Sequence, residues 1–144
     1  MEDRYLYKAK TTSKEKGEFN NVWVTGNIIV SNGKYYIHPV GNVVNVKNET
    51  GRIIVMHEVI PDTICQCTGL KDKNGNLIWE NDIMVAHLDD AYPEDETYIR
   101  ILWYESGFCS KEKGSEDISP IDKFDQEHFE VCGNIFDNPE FIIK

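Results

Sequence analysis

Apolar and polar positions alternate in short runs along this chain, and turn residues separate the runs. Trp23 to Val30 is rich in β-branched and aromatic residues, Ser31-Asn32-Gly33-Lys34 follows, and Tyr35-Tyr36-Ile37 resumes the apolar pattern. Asn-Gly supplies the two positive-φ positions of a type I′ turn, so Trp23 to Ile37 is predicted to be a β-hairpin. Val43 to Val46, a turn over Asn48 to Gly51 and an apolar run within Arg52 to Val59 predict a second hairpin. Pro61 interrupts the pattern and sets the expected boundary between an N-terminal β-hairpin element, residues 1–60, and a second element, residues 61–144. No Gly/Ser-rich linker follows it, so the two are expected to pack as one unit. Ile83 to His87, Tyr98 to Trp103 and Val131 to Phe136 read as further strands, at spacings that suit a small antiparallel β-barrel. Helix is expected only within Ser119 to Phe129, which has Pro120 near its start. Gly26-Asn27-Ile28 and Gly133-Asn134-Ile135 echo each other, and both read as turn chemistry ahead of a strand.

The stretch from Thr68 to Val85, TGLKDKNGNLIWENDIMV, is the densest in polar signals. Lys71, Asp72 and Lys73 lead into Asn74-Gly75, another hairpin signal, and Leu77-Ile78-Trp79 returns to an apolar strand. Glu80-Asn81-Asp82 then separates two apolar runs. Asn81 suits a left-handed backbone, and Asp82 can accept backbone N–H groups across the bend. A corner explains every polar residue here. A Glu-x-Asp pair without a nearby His or a nucleophile is a poor acid/base constellation. Trp79 and Ile83 are expected to point inward, with Lys71, Lys73 and Glu80 in water.

Charge adds an asymmetry to this picture. Up to Ile78 the chain has ten Lys and Arg against eight Asp and Glu; from Trp79 onward it has five against seventeen, for a net charge of −10. The densest acidic run is Asp89 to Glu96, containing Asp89, Asp90, Glu94, Asp95 and Glu96. It reads either as a solvated loop or as an acidic surface for a basic partner. Direct nucleic-acid binding is disfavoured, because phosphate contacts supply most of that affinity and need positive charge. The sequence shows no apolar run of membrane-spanning length and no secretory signal, so a cytoplasmic protein with reduced cysteines is expected. Cys65 and Cys67 share one face of a strand but lack zinc-knuckle spacing, and Cys109 and Cys132 form no second knuckle. No metal site and no cofactor are expected.

Three blocks, carried on two stretches, resemble the YopX family, small proteins of Gram-positive bacteria and their phages and prophages. DTICQCTGLKDKNGNLIWENDIMV and FEVCGNIFDNPEF match its T-G-L-x-D-x-N-G, I-aromatic-E-G-D-I and G-N-I-aromatic-x-N-P-E pattern. The matching positions are Thr68, Gly69, Leu70, Asp72, Asn74 and Gly75, then Ile78, Trp79, Glu80, Asp82 and Ile83. The third set is Gly133, Asn134, Ile135, Phe136, Asn138, Pro139 and Glu140. Cys65 stands where the family tends to have Gly, Cys67 where an aromatic is common, and Asn81 where the bend has Gly. Asn tolerates positive φ best after Gly, so the bend should survive. The resemblance implies a mostly β fold with an SH3-like barrel in a prophage context. It implies no activity, catalytic residue or cofactor.

Three functional classes follow. The leading expectation is a non-enzymatic accessory protein that binds another protein, with a basic surface, or a second copy of itself. Its candidate contacts are the acidic run together with Tyr98 and Trp103, since aromatics alternating along strands leave some facing outward. The second class is an acidic mimic of nucleic acid that occupies a DNA-binding protein. The third is a small hydrolase built on His57, His87 or His128 with Asp89 or Glu130.

Overall fold

The structure, a computed structural model, describes residues 5–12, 21–39 and 56–142. The expected second hairpin, between Val43 and Val59, falls largely on residues outside these. Eleven β-strands and one short α-helix make the described chain mostly β, as the alternation predicts. It divides into two compact units, Met1–Gln66 and Cys67–Lys144.

In the first unit, β1 (Tyr7–Lys10), β2 (Trp23–Ser31), β3 (Lys34–Pro39) and β4 (His57–Glu58) pair antiparallel in the order β4-β3-β2-β1. Asn32 and Gly33 both have positive φ, 51° and 75°, and Ser31 pairs with Lys34, so the type I′ hairpin forms as predicted. Ala9, Ile37 and Val59 make the core, with Val24, Ile28 and Tyr35 packed on it. After a 3-10 turn at Pro61–Thr63 the chain enters β5 (Cys65–Lys71), whose first two residues pair with β1.

In the second unit, β5 continues against β6 (Leu77–Trp79). A five-stranded antiparallel sheet follows, ordered β10-β9-β8-β7-β11: β7 (Asp82–Ala86), β8 (Thr97–Tyr104), β9 (Gly107–Glu112), β10 (Ile118–Pro120) and β11 (Glu130–Asn134). The helix α1 (Lys123–His128) lies inside the stretch that the sequence marked. Asp122 caps it by accepting from Asp125 N–H at 2.9 Å, and the Asp125 carboxylate accepts from Asp122 N–H in return. Alternation buries Ile99 and Ile101 from β8, Met84 and Ala86 from β7, and Ile78 from β6 in one core, with Phe129 sealing it.

At the glycines themselves the Gly26 and Gly133 echo is not turn chemistry. Gly26 lies inside β2, and a Cβ there would collide with the His38 carbonyl of β3; a Cβ at Gly133 would collide with the Asn138 side chain. Both glycines permit close approach. Gly33 has open space around it and is demanded by φ alone. Gly26→Ala is therefore expected to cost about 2 to 3 kcal/mol because backbone must move, against about 1 kcal/mol for Gly33→Ala. Chemical denaturation of both variants checks the order.

Candidate functional site

The three signature blocks converge on one strand, β11. Asp72, only 5% exposed, accepts from Asn74 and Asn76 N–H with Oδ1 and from Val131 N–H with Oδ2, each at 2.9 Å. Lys73 N–H donates to the Phe129 carbonyl, and Asn74 Nδ2 donates to Glu130 Oε2. Three N–H donors offset the burial of this carboxylate. The hairpin signal is met, with Lys71 opposite Leu77, and the carboxylate shapes the loop between them. Gly75 alone has positive φ, 83°, and its N–H closes a turn onto the Asp72 carbonyl in place of the two-residue I′ loop. Upstream, Gly69 has a φ of 80°, in the irregular stretch between the paired residues Cys67 and Lys71. There the Thr68 hydroxyl donates to the Ile78 carbonyl and accepts from Leu70 N–H.

The second block is the corner between β6 and β7. Asn81 has a φ of 71°, and Asp82, 2% exposed, accepts from Trp79 N–H at 2.8 Å across the bend. Asn81 N–H donates to the Ile101 carbonyl, and its own carbonyl accepts from Ile135 N–H. Ile83 is fully buried and Lys71 and Lys73 are exposed, as expected. Trp79 and Glu80 are both half-buried, so Trp79 is less sunk and Glu80 less wet than the pattern suggests. The third block closes the set. Asn134 pairs with Asp82 across β11 and β7, and its Oδ1 accepts from Phe136 and Asp137 N–H ahead of Pro139. These residues build a corner, held by side-chain bonds from Asp72, Asp82 and Asn134 to backbone N–H groups.

The acidic run is exposed throughout and folds as two successive turns, with Tyr92 N–H on the Asp89 carbonyl and Asp95 N–H on the Tyr92 carbonyl. Tyr98 lies beside it: its hydroxyl donates to the Glu96 carboxylate, and its ring stacks on Phe141 at 5.5 Å. That hydrogen bond, with burial and the Glu96 charge behind it, pushes the Tyr98 phenol up to about 12. Trp103 is not brought to this cluster. It sits at the far end of β8 and on the other face, 49% exposed, edge-on to Phe108 at 4.9 Å.

Sequence reasoning missed a groove of about 430 Å³ in the same unit. Glu112, Asp117, Asp122 and Asp125 line it, and no Lys, Arg or His is among the described residues of its wall. Leu88 and Thr97, which bracket the acidic run, also line it, so the run leaves and rejoins the fold at its rim. Buried Ile99 and Phe129 and exposed Phe124 supply apolar wall. Burial, and after it the Asp122 charge, raises the Asp125 carboxyl from its ordinary value. Its signal is scattered: the four carboxylates lie in a strand, a loop, a helix cap and a helix, and only the fold groups them.

His87 donates Nδ1–H to the Pro93 carbonyl and His128 donates Nδ1–H to the Phe124 carbonyl, while stacking on Phe124. His57 belongs to β4 in the first unit. Asp89 accepts from Ala91 N–H, and Glu130 holds Asn74, so neither carboxylate is joined to a histidine by a bond of this kind. All four cysteines are free thiols. Burial, then the Glu130 charge, pushes Cys132 up to about 11, which keeps it protonated and unreactive at neutral pH. Among the described residues, no three His, Cys, Asp or Glu side chains come together as a metal site. No helix of the described residues is long and apolar enough to cross a membrane.

The corner generates a graded mutational expectation. Asp72→Ala leaves three backbone N–H groups without their acceptor and is expected to cost about 3 to 4 kcal/mol, whereas Lys73→Ala stays within about 0.5 kcal/mol. Asn81→Val forces a β-branched residue to positive φ and should cost about 2 kcal/mol, with Asn81→Gly near neutral. Urea unfolding of the four variants measures the order.

A crystal structure of protein EF1440 from Enterococcus faecalis is similar to this chain, with 24% identity and a TM-score of 0.46 over 96% of this chain and 97% of that one. No curated protein matches. The model of the family described as YopX protein matches residues 2–142, which takes in all three blocks of the corner, and the chain belongs to the YopX family.

Proposed function

We propose that the protein is a non-enzymatic binding module that takes a basic, partly apolar segment of another protein into the acidic groove beside β8. The observation that carries this reading is the composition of that groove: four carboxylates, no cation among the described residues of its wall, and apolar surface within one concavity. A Lys or Arg side chain has a matching chemistry, since its stem packs on apolar surface while its head meets carboxylates. The exposed run Asp89 to Glu96 adds long-range attraction at the rim, which speeds association at low salt. In the same reading, the second unit is an SH3-like small barrel. The Glu80 to Asp82 corner hands the chain from the β5–β6 pairing to the sheet of β7 to β11. The protein then acts in the cytoplasm of a bacterial host as a prophage accessory factor. Self-association through the exposed Trp103 and Tyr104 is the other mode of protein binding that the surface supports.

Mimicry of nucleic acid draws less from the geometry, because Asp89 to Glu96 lies in successive turns and not along a strand or helix that would repeat carboxylates regularly. Hydrolysis draws little too, because neither His87 nor His128 is hydrogen-bonded to Asp89 or Glu130, whose bonds go to Ala91 N–H and Asn74 Nδ2.

Tagged protein mixed with nuclease-treated extract of phage-carrying host cells, at low and at high salt, tests the groove. The expected outcome is a basic protein captured at low salt and released at high salt. Purified together, the two should bind at least roughly tenfold more weakly when Glu112→Gln and Asp117→Asn are combined, the loss of two charged contacts. Unchanged affinity in that variant, or a salt-insensitive partner, would move the contact away from the groove. Retention of nucleic acid by the purified protein alone would break the reading. Sedimentation velocity at rising concentration checks self-association, and a monomer throughout would remove that part.

A further inference from the structure

From Cys67 to Lys144 the sequence has seven Lys and Arg against eighteen Asp and Glu. Three of the seven, Arg100, Lys111 and Lys113, nevertheless line one cavity of about 230 Å³. Arg100 and Lys111 are direct partners across β8 and β9, a placement in which like charges repel. They stand on the face opposite buried Ile99 and Ile101, away from the core. Lys111 has a counter-charge in Glu116 at 3.5 Å, but that carboxylate is 98% exposed and screened by water. Arg100 donates one N–H to Asn81 Oδ1 at 3.3 Å, while its Nε is buried with no acceptor. A buried guanidinium N–H without an acceptor is unusual in a finished fold.

Gly114 and Ser115 add wall that suits an anion. Gly114, at a φ of 85°, makes the turn after β9, and the Ser115 hydroxyl, which accepts from Asp117 N–H, still has its own hydrogen to donate. Ile142 closes one side, next to Phe141 stacked on Tyr98, which lies on the same face of β8 as Arg100. Lys113 sits over the Tyr98 ring, 5.8 Å from its centroid. Three cations set against the flanking carboxylates of Glu112 and Glu116 leave the cavity positive within an acidic unit.

We propose that this cavity binds an oxyanion of the phosphate class. Arg100 offers the planar fork that holds two oxygens at once, and Lys111 and Lys113 supply charge. A phosphate carries about −1.5 to −2 at neutral pH, which matches several cations better than a single carboxylate does. The cavity is smaller than the roughly 300 to 1,000 Å³ of sites that enclose a drug-sized ligand, so it takes the anionic group and leaves any carrier outside. The cavity shares Glu112 and Ser115 with the acidic groove, but the site rests on Arg100, Lys111 and Lys113, none of which lines that groove, so either can fail alone.

The test uses the full chain and ¹H–¹⁵N spectra that follow the Arg100 Nε–H signal and the Gly114 and Ser115 amides. Sodium phosphate, adenosine monophosphate and sodium chloride are added at matched ionic strength. The expected result is saturable shifts at these three signals with a phosphate probe and not with chloride. Tighter binding of the monophosphate marks the group as part of a larger ligand; equal or tighter binding of phosphate marks the free anion, and both support the site. Lys113→Gln should weaken binding roughly tenfold, the size of one charged contact. Arg100→Lys, which keeps the charge and loses the fork, should weaken it further. If Arg100→Lys disturbs the fold, Lys113→Gln carries the test. Shifts that do not saturate, that chloride reproduces, or that Lys113→Gln leaves unchanged would overturn the proposal.

Discussion

One carboxylate ties the second unit together. Asp72 serves two backbone N–H groups of its own turn and one on a strand 59 residues further along the chain. Hydrogen bonds to a charged acceptor are stronger than neutral ones, and a buried charge is tolerated only where such donors surround it. The turn and the strand therefore depend on each other: without Val131 the carboxylate lacks a donor, and without Asp72 the edge strand β11 loses a bond that its pairing with β7 does not supply. Around this point Asp82 fixes the next bend, and Asn134 continues the ladder opposite Asp82. What the family signature encodes is a corner that closes on itself.

Chemistry that can meet other molecules lies off that corner, on the two faces of the β8–β9 hairpin. On one face Thr97 and Ile99 contribute to a groove of carboxylates and apolar wall; on the other Arg100 and Lys111 contribute to a cavity of cations. Period-two alternation makes this separation possible, since neighbours along one strand serve opposite surfaces. A net charge of −10 would suggest a uniformly repulsive object toward anions, yet pairing two cations across adjacent strands creates a local exception.

The fold was legible where the signal is local. Asn32-Gly33 specified its turn, alternation located β7, β8 and β11, and Asn81 was recognisable as a positive-φ residue because its neighbours demanded a bend. Asn74-Gly75 signalled the β5–β6 hairpin, whose loop is longer than two residues because the Asp72 side chain holds Asn74 and Asn76 N–H. The Gly26 and Gly133 pair misled because close approach depends on a partner strand or loop that sequence does not display. The candidate sites were the least legible. Asp89 to Glu96 stands out as a run, but Glu112, Asp117, Asp122 and Asp125 are ordinary surface residues until strand register and a helix cap assemble them. Arg100 and Lys111 are eleven positions apart and meet only through the β8–β9 register.

Native-state hydrogen exchange at Asn74, Asn76 and Val131 tests the corner most directly, because all three amides bond to the Asp72 carboxylate. If the corner is the structural centre of its unit, these amides open together, with protection on the order of 10³ or more, about 4 kcal/mol of opening free energy. Asp72→Asn should collapse the protection of all three. Exchange at Val131 as fast as in the exposed loop Asp89 to Glu96, or protection that survives Asp72→Asn, would contradict the account.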